Sequence, residues 1–289
     1  MIKRNTIKLL RIPFSIFLMP IFLLAVSQAK TISLTETIIA FVIIHLFVYP
    51  ASNGYNSYID RDTSSIGGLE NPPMPTKELF YTTLLFDMIG IVGGFTFINA
   101  SFSIAILFYI LASRAYSSKQ IRLKKYAFLG FAVVVFFQGA FTYYMSIIAI
   151  NNNTFSVYEN IFILIATSLQ IAGAYPLSQV YQHKQDMEDG VQTLSYKLGI
   201  NGTFIFTATM FASCNVFYFL HFKQNNNTHH FYLLQLFFIP IISYFTYWFV
   251  SVLKNQKNAN FKNTMRMNMI ASVCMSTFFI LLIILKHSH

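Results

Sequence analysis

Residues 37–62 read TIIAFVIIHLFVYPASNGYNSYIDRD. The first part is continuous in hydrophobicity rather than amphipathic, which implies burial in lipid or inside a bundle. The last part turns polar and ends in Asp60 and Asp62. A stretch of this kind is a membrane span that delivers a cluster of amides and carboxylates to the water interface.

Working outward, comparable apolar runs lie at 12–29, 37–55, 79–98, 100–116, 127–150, 158–177, 202–222, 231–253 and 267–285. Nine spans are therefore expected, with the third and fourth meeting at Asn99 as a tight helical hairpin. The bulk numbers agree. Of 289 residues, 55% are hydrophobic and 10% charged, and the mean hydropathy is +0.54. A soluble domain carries about a quarter charged residues, so this chain has too few to clothe a water-facing surface. The basic N-terminus resembles the start of a signal peptide, but no small-residue cleavage site follows, and a first span is expected there. Cys214 and Cys274 lie inside apolar runs and offer neither metal spacing nor a disulfide framework.

The basic residues set an orientation. With the N-terminus cytoplasmic, 17 of the 20 Lys and Arg fall on the inner side, leaving Lys30, Lys223 and Lys286 outside. That pattern explains the net charge of +10 as topology and excludes nucleic acid as its partner. Seven of the ten acids share the inner side: Asp60, Asp62, Glu70, Glu78, Asp186, Glu188 and Asp189. Topology does not require them there, which points to a site at the cytoplasmic face of a cell-membrane protein.

A repeat locates that site. Residues 49–62, YPASNGYNSYIDRD, align with 175–188, YPLSQVYQHKQDME; Tyr, Pro, Ser, Tyr and Asp coincide at five positions. The copies close the second and sixth spans, and an offset of four helices implies parallel repeats ending on one side. In each copy polar residues recur at i, i+3 and i+7: Asn53, Asn56, Asp60 and Gln179, Gln182, Asp186. This spacing is expected to line one helix face. Two such faces would bring hard oxygen donors together, a set suited to Mg²⁺, which binds through one or two carboxylates plus substrate phosphates. Between the fourth and fifth spans lie Arg114, Tyr116, Lys119, Arg122, Lys124 and Lys125, a cationic loop fit to grip a diphosphate. The loop 64–73, SSIGGLENPP, is able to bend backbone amides round an anion. Asp87 lies inside the third span, where a carboxylate is functional by default; His45 and His183 carry weaker claims.

At these residues the sequence resembles the UbiA superfamily of membrane prenyltransferases. The resemblance covers nearly the whole chain. The family's first motif, Asn-x-x-x-Asp-x-x-x-Asp, is matched by Asn56 and Asp60, with Ser64 in place of the second Asp. Its second, Asp-x-x-x-Asp-x-x-x-Gly-x-x-Thr, is matched by Asp186, Gly190 and Thr193, with Gln182 in place of the first Asp. Residues 116–126, YSSKQIRLKKY, are similar to the family's basic substrate-binding loop. The resemblance implies one integral-membrane domain over 1–289, an all-α bundle of two four-helix pseudo-repeats plus a C-terminal helix. It also implies Mg²⁺-dependent transfer of an isoprenoid from an allylic prenyl diphosphate to a lipophilic, aromatic or other, acceptor.

In that scheme Asp60, Asp186 and Arg114 are catalytic. Asn56, Asp60 and Asp186 hold the metal, with Asp62 or Asp189 as further ligands; Asp62, Glu188, Asp189 or His183 compensate the missing carboxylates. Asn53, Tyr116, Lys119, Arg122, Lys124, Gln179 and Gln182 bind the diphosphate, and Tyr55, Tyr143, Tyr144 and Tyr181 offer aromatic faces to an allylic cation. Two other readings stay open: a terpene cyclase of the same fold, and a non-catalytic lipid-binding or transport protein.

Overall fold

The computed structural model describes residues 3–151, 154–188 and 190–287, and among them the chain is helical, without a β-strand. Among the described residues eight helices are long and apolar enough to cross a membrane, or nine if one bent pair counts as a single span. The protein is a multi-pass membrane protein.

The bent pair is the first expected span. Helix α1 (Arg4–Leu10) stops at Arg11, which is left-handed at φ 48°; a 3-10 segment, Ile12–Phe17, follows, then α2 (Met19–Gln28). The two parts bend by 46°. Pro13 and Pro20 explain the break: each lacks an N–H, each sits in the first turn of its segment, and neither can continue a helix from upstream. The remaining spans are α3 (Leu34–Asp60), α4 (Lys77–Phe97), α5 (Ala100–Ser117), α6 (Ala127–Ile150), α7 (Val157–Leu177), α9 (Leu194–Gln224), α10 (Thr228–Lys254) and α11 (Phe261–Lys286). Between α7 and α9 lies a short helix, α8 (His183–Glu188).

The chain forms two compact units, Met1–Lys124 with Tyr144–Phe155, and Lys125–Tyr143 with Ser156–His289. The first holds motif 49–62 and the second holds motif 175–188.

Within lipid there is little hydrophobic drive between helices, so close packing and small residues hold them together. In the first unit Leu9, Leu10 and Leu79 form a buried cluster. Gly54 lies against it, and a Cβ there would sit 2.9 Å from Thr83 Cγ2. The α4–α5 hairpin turns at Asn99, as expected. Its side chain accepts from Phe102 N–H at 2.8 Å and caps α5, while its amide donates to Ile148 O at 3.1 Å. On α4 the residues Tyr81, Leu84, Leu85, Met88, Val92 and Phe95 are exposed at helical spacing, a lipid-facing stripe.

In the second unit α6 widens into a π turn at Phe137–Phe141. Gly139 there approaches the backbone of Ser168 so closely that a Cβ would meet it at 2.7 Å. Cys214 is a packing residue whose thiol donates to Ala166 O. Phe204 stacks on Phe249 at a centroid distance of 5.0 Å and meets Trp248 edge-on at 4.8 Å, tying α9 to α10.

Candidate active site

In the first unit, motif 49–62 forms the last turns of α3. Pro50 has no N–H to offer the Leu46 carbonyl, and a π turn at Ile43–Val48 re-registers the ladder just upstream, so the helix continues to Asp60. His45 sits within that turn among the rings of Phe22, Phe41 and Tyr49. Arg61, left-handed at φ 56°, ends the helix and gives its N–H to Ser57 O.

Two rungs tie this helix end to α5. Ser52 Oγ meets Ser113 Oγ at 2.6 Å, and Asn56 Nδ2 donates to Ser117 Oγ at 3.0 Å. Each rung is four residues from the other on both helices, so two helical faces register against each other. The side chain of Arg114, between the two serines, ion-pairs with Asp87 on α4, and its guanidinium lies 3.9 Å from the centre of the Tyr55 ring. Its Nη1 is buried without a hydrogen-bond partner. Asp87 thus has a structural partner, and the face of Tyr55 is taken by a cation of the protein itself.

Asp60 ion-pairs through Oδ2 with Lys124, the two side chains being 7% and 11% exposed. The other oxygen, Oδ1, is buried and has no hydrogen-bond partner. A left-handed Arg122 (φ 45°) and a 3-10 turn at Leu123–Lys125 put Lys124 inward, while Lys119 and Lys125 stay exposed. Arg122, Tyr116 and Asp62 are half-buried, and Arg122 Nε is without a hydrogen-bond partner. Asn53 is engaged by its backbone: its carbonyl accepts from Arg11 Nη2 at 3.1 Å. Arg11 also donates to Gly67 O, and Ile66 and Leu69 exchange both backbone hydrogen bonds. The loop after Ser64 is therefore a closed turn packed on Phe14, its Ile66 and Leu69 amides already spent, and not an open anion nest.

In the second unit the motif does not continue its helix. The expectation that Gln179, Gln182 and Asp186 share one helical face is corrected here: α7 ends at Leu177, residues 178–182 turn, and Asp186 lies on α8. The backbone tightens to i→i−3 bonds, Gln179 N–H to Pro176 O and Gln182 N–H to Gln179 O. Ser178 Oγ donates to the Tyr175 carbonyl at 2.6 Å, which also accepts the Ser178 N–H at 3.1 Å. Gln179 is buried; its Nε2 donates to Tyr175 OH at 3.1 Å and its Oε1 has no hydrogen-bond partner.

The spacing Asp186-x-x-x-Gly190-x-x-Thr193 has a local explanation. Val191 N–H bonds Asp186 O and Gly190 N–H bonds Met187 O, a Schellman closure with Gly190 at φ +66°. Three residues on, Thr193 caps α9 by accepting from Tyr196 N–H, and its hydroxyl donates to Asp186 Oδ2 at 3.3 Å. One threonine starts a span and steadies a carboxylate. Asp189 lies outside the described residues.

Behind α8, His183 Nε2 meets Ser195 Oγ at 2.8 Å, and Ser195 Oγ meets Thr203 Oγ1 at 3.2 Å, across a kink where Gly199 leaves helical geometry. Burial holds the His183 imidazole below its ordinary value, favouring the neutral form. Of the other aromatic candidates, Tyr143 is fully buried with its hydroxyl on Asn160, Tyr181 sets its ring against Phe261, and Tyr144 against Phe155.

Sequence reasoning gave Ser113, Ser117 and Arg11 no role in the site, and it assigned Lys124 to a diphosphate with no carboxylate partner. The serines were detectable in principle: small polar residues four apart on a span facing Ser52 and Asn56.

Among the described residues no three His, Cys, Asp or Glu side chains gather as a metal cage. The first motif nonetheless fits an oxygen-seeking cation such as Mg²⁺. Asp60 offers a buried, unpartnered carboxylate oxygen, and Asn56 one turn earlier has committed only its amide nitrogen among the hydrogen bonds described.

Fold and site together define a multi-pass helical membrane protein with an acid-and-amide motif in each of its two units. The chain belongs to the UbiA prenyltransferase family, whose model matches residues 16–270. No curated protein matches it in sequence. Its fold is similar to that of a UbiA homolog from Archaeoglobus fulgidus bound to DMAPP and Mg²⁺ (TM-score 0.69, 16% identity, 96% of this chain and 99% of that one). A UbiA homolog from Aeropyrum pernix K1 is comparable (0.69, 14%, 93% and 98%). A digeranylgeranylglyceryl phosphate synthase follows (0.60, 17%, 97% of both chains).

Proposed function

We propose that this chain is a Mg²⁺-dependent prenyltransferase that moves an isoprenoid group from an allylic prenyl diphosphate to a lipophilic acceptor, aromatic in the first instance. The whole chain, 1–289, acts as one domain in the cell membrane, with N-terminus and site cytoplasmic. Membership of the family supports the reading, as do the Archaeoglobus fulgidus homolog structures bound to DMAPP or GPP with Mg²⁺. The observation in this chain that carries it is the orphaned Oδ1 of Asp60, nine-tenths buried beside a cationic loop.

Asp60, Asn56 and Asp186 would hold the metal, with Asp62 and Asp189 as further acids. A metal held there would supply positive charge against the negative charge that builds on the departing diphosphate. Arg114, Lys119, Arg122 and Lys124 neutralise the remaining charge as the C–O bond lengthens, Arg gripping phosphate oxygens in pairs. Asn53, Tyr116, Gln179 and Gln182 orient the diphosphate by hydrogen bonds. Thr193 fixes the Asp186 carboxylate before substrate arrives, so little reorganisation is left for the reaction. The apolar interior keeps water from the allylic cation until the acceptor attacks and loses its proton.

Purified protein in lipid nanodiscs, given a panel of prenyl diphosphates and membrane extract, is expected to consume one of them with Mg²⁺ and yield a prenylated product seen by mass spectrometry. Asp60→Ala and Asp186→Ala each lower turnover by about 100-fold or more. Full turnover in both folded variants would overturn the assignment.

A further inference from the structure

We infer that Lys124 is a resident counter-cation: it holds the Asp60 carboxylate while the site is empty and yields it only when metal and diphosphate arrive together. The inference rests on the reading that Asp60 binds a divalent cation.

Three observations support it. The ion pair is nearly enclosed, with 7% of the Asp60 side chain and 11% of the Lys124 side chain exposed, so neither charge is solvated well without the other. The backbone is shaped to make it. Arg122 is left-handed, a conformation that non-glycine residues rarely adopt, and the following 3-10 turn points Lys124 inward while Lys125 stays exposed. The carboxylate is only half used, since Oδ1 is buried without a hydrogen-bond partner.

The first motif is also poor in acid. Ser64 stands two turns of sequence spacing beyond Asn56, and the neighbouring carboxylate, Asp87, is taken by Arg114. With Asp60 neutralised by Lys124, the described ion pairs of this site carry no net charge to attract a bare cation. A metal alone on Oδ1 meets the ammonium held on Oδ2 of the same carboxylate, and the two like charges repel. A metal with a diphosphate brings the displaced Lys124 a new anion to bind. The ammonium therefore couples the two ligands, and by linkage each raises the affinity for the other. An order of binding follows: metal enters with the diphosphate and not ahead of it.

The test uses the whole protein in nanodiscs, with Mn²⁺ as a paramagnetic probe of metal binding and a non-hydrolysable prenyl thiolodiphosphate as the anion. Wild type is expected to bind Mn²⁺ alone weakly and to bind it tightly with the analogue. Lys124→Met is expected to bind Mn²⁺ alone about tenfold more tightly, to bind the analogue more weakly, and to melt lower than wild type until Mn²⁺ restores it. Lys124→Arg, which keeps the pair, is expected to resemble wild type. Unchanged Mn²⁺ affinity in folded Lys124→Met would overturn the inference. Asp60→Asn separates the two layers. If it loses Mn²⁺–analogue binding while Lys124→Met leaves Mn²⁺ affinity untouched, the counter-cation idea fails and the active site stands. If it keeps full binding, the metal assignment fails and the inference falls with it.

Discussion

The two copies of one sequence motif adopt different backbones. In residues 49–62 the helix runs unbroken to Asp60, and in residues 175–188 it ends at Leu177 and gives way to a turn and a short helix. The equivalent serines show how the copies part. Ser52 spends its hydroxyl on Ser113 of the neighbouring span, leaving its own ladder intact, whereas Ser178 spends it on Tyr175 O in its own helix. Gly54 and Val180 are likewise equivalent, and only the glycine lets its helix close against Thr83 and Leu10. The first copy stays helical and is rung to a neighbouring span, whereas the second bends through its own turns before it meets α9 and α11. Matched spacing in a sequence does not guarantee matched shape.

That contrast predicts a hierarchy of damage. The first copy depends on enclosed ion pairs, so its largest sensitivity lies there. Arg114→Ala leaves Asp87, 10% exposed, without its cation and is expected to cost about 3 kcal/mol. Unfolding in detergent measures this, and Arg114→Met with Asp87→Asn should recover most of the loss. If the single variant melts like wild type, the ion pair does not secure this unit.

The second copy depends on capping, worth less. Thr193→Val removes the α9 cap and the donor to Asp186, for a loss of about 1 kcal/mol with reduced turnover, and Thr193→Ser restores both. A serine variant no better than valine would dismiss the hydroxyl. Gly190→Ala places a Cβ at φ +66°, where space is open, so only backbone strain opposes it. The expected cost is about 1 kcal/mol, with the KM for prenyl diphosphate rising more than kcat falls.

The smallest effect is in pH dependence. His183 titrates lower in the folded protein than its ordinary 6.5 because it is half enclosed. The unfolded chain then binds more protons, so this contribution is complete above pH 6.5 and is lost as pH falls through the lowered value. His183→Gln should flatten the acid side of the stability profile. An unchanged slope would mean that His183 plays no part in it.

Much of this was legible in the sequence. Apolar length located the spans, and Asn99 marked a hairpin that the structure closes with the same side chain. What the sequence hid were choices between equal partners. Lys124 carries the same charge as Lys119 and Lys125, and only the strained turn at Arg122 decides which reaches Asp60. The break in the first span was written in Pro13 and Pro20, but hydropathy averages over prolines and reads one continuous run. Nor does the i, i+3, i+7 pattern of the second motif tell an unbroken helix from a helix end, turn and short helix that carry the same residues.

The proposed function assigns Asp60 of one copy and Asp186 of the other to one bound cation and its diphosphate. Mn²⁺-dependent binding of a prenyl thiolodiphosphate to Asp60→Asn, Asp186→Asn and the double variant tests it most directly. Each single change should cost nearly as much affinity as both together, because a shared ion is lost once. Losses that simply add, or a single variant that binds like wild type, would contradict it.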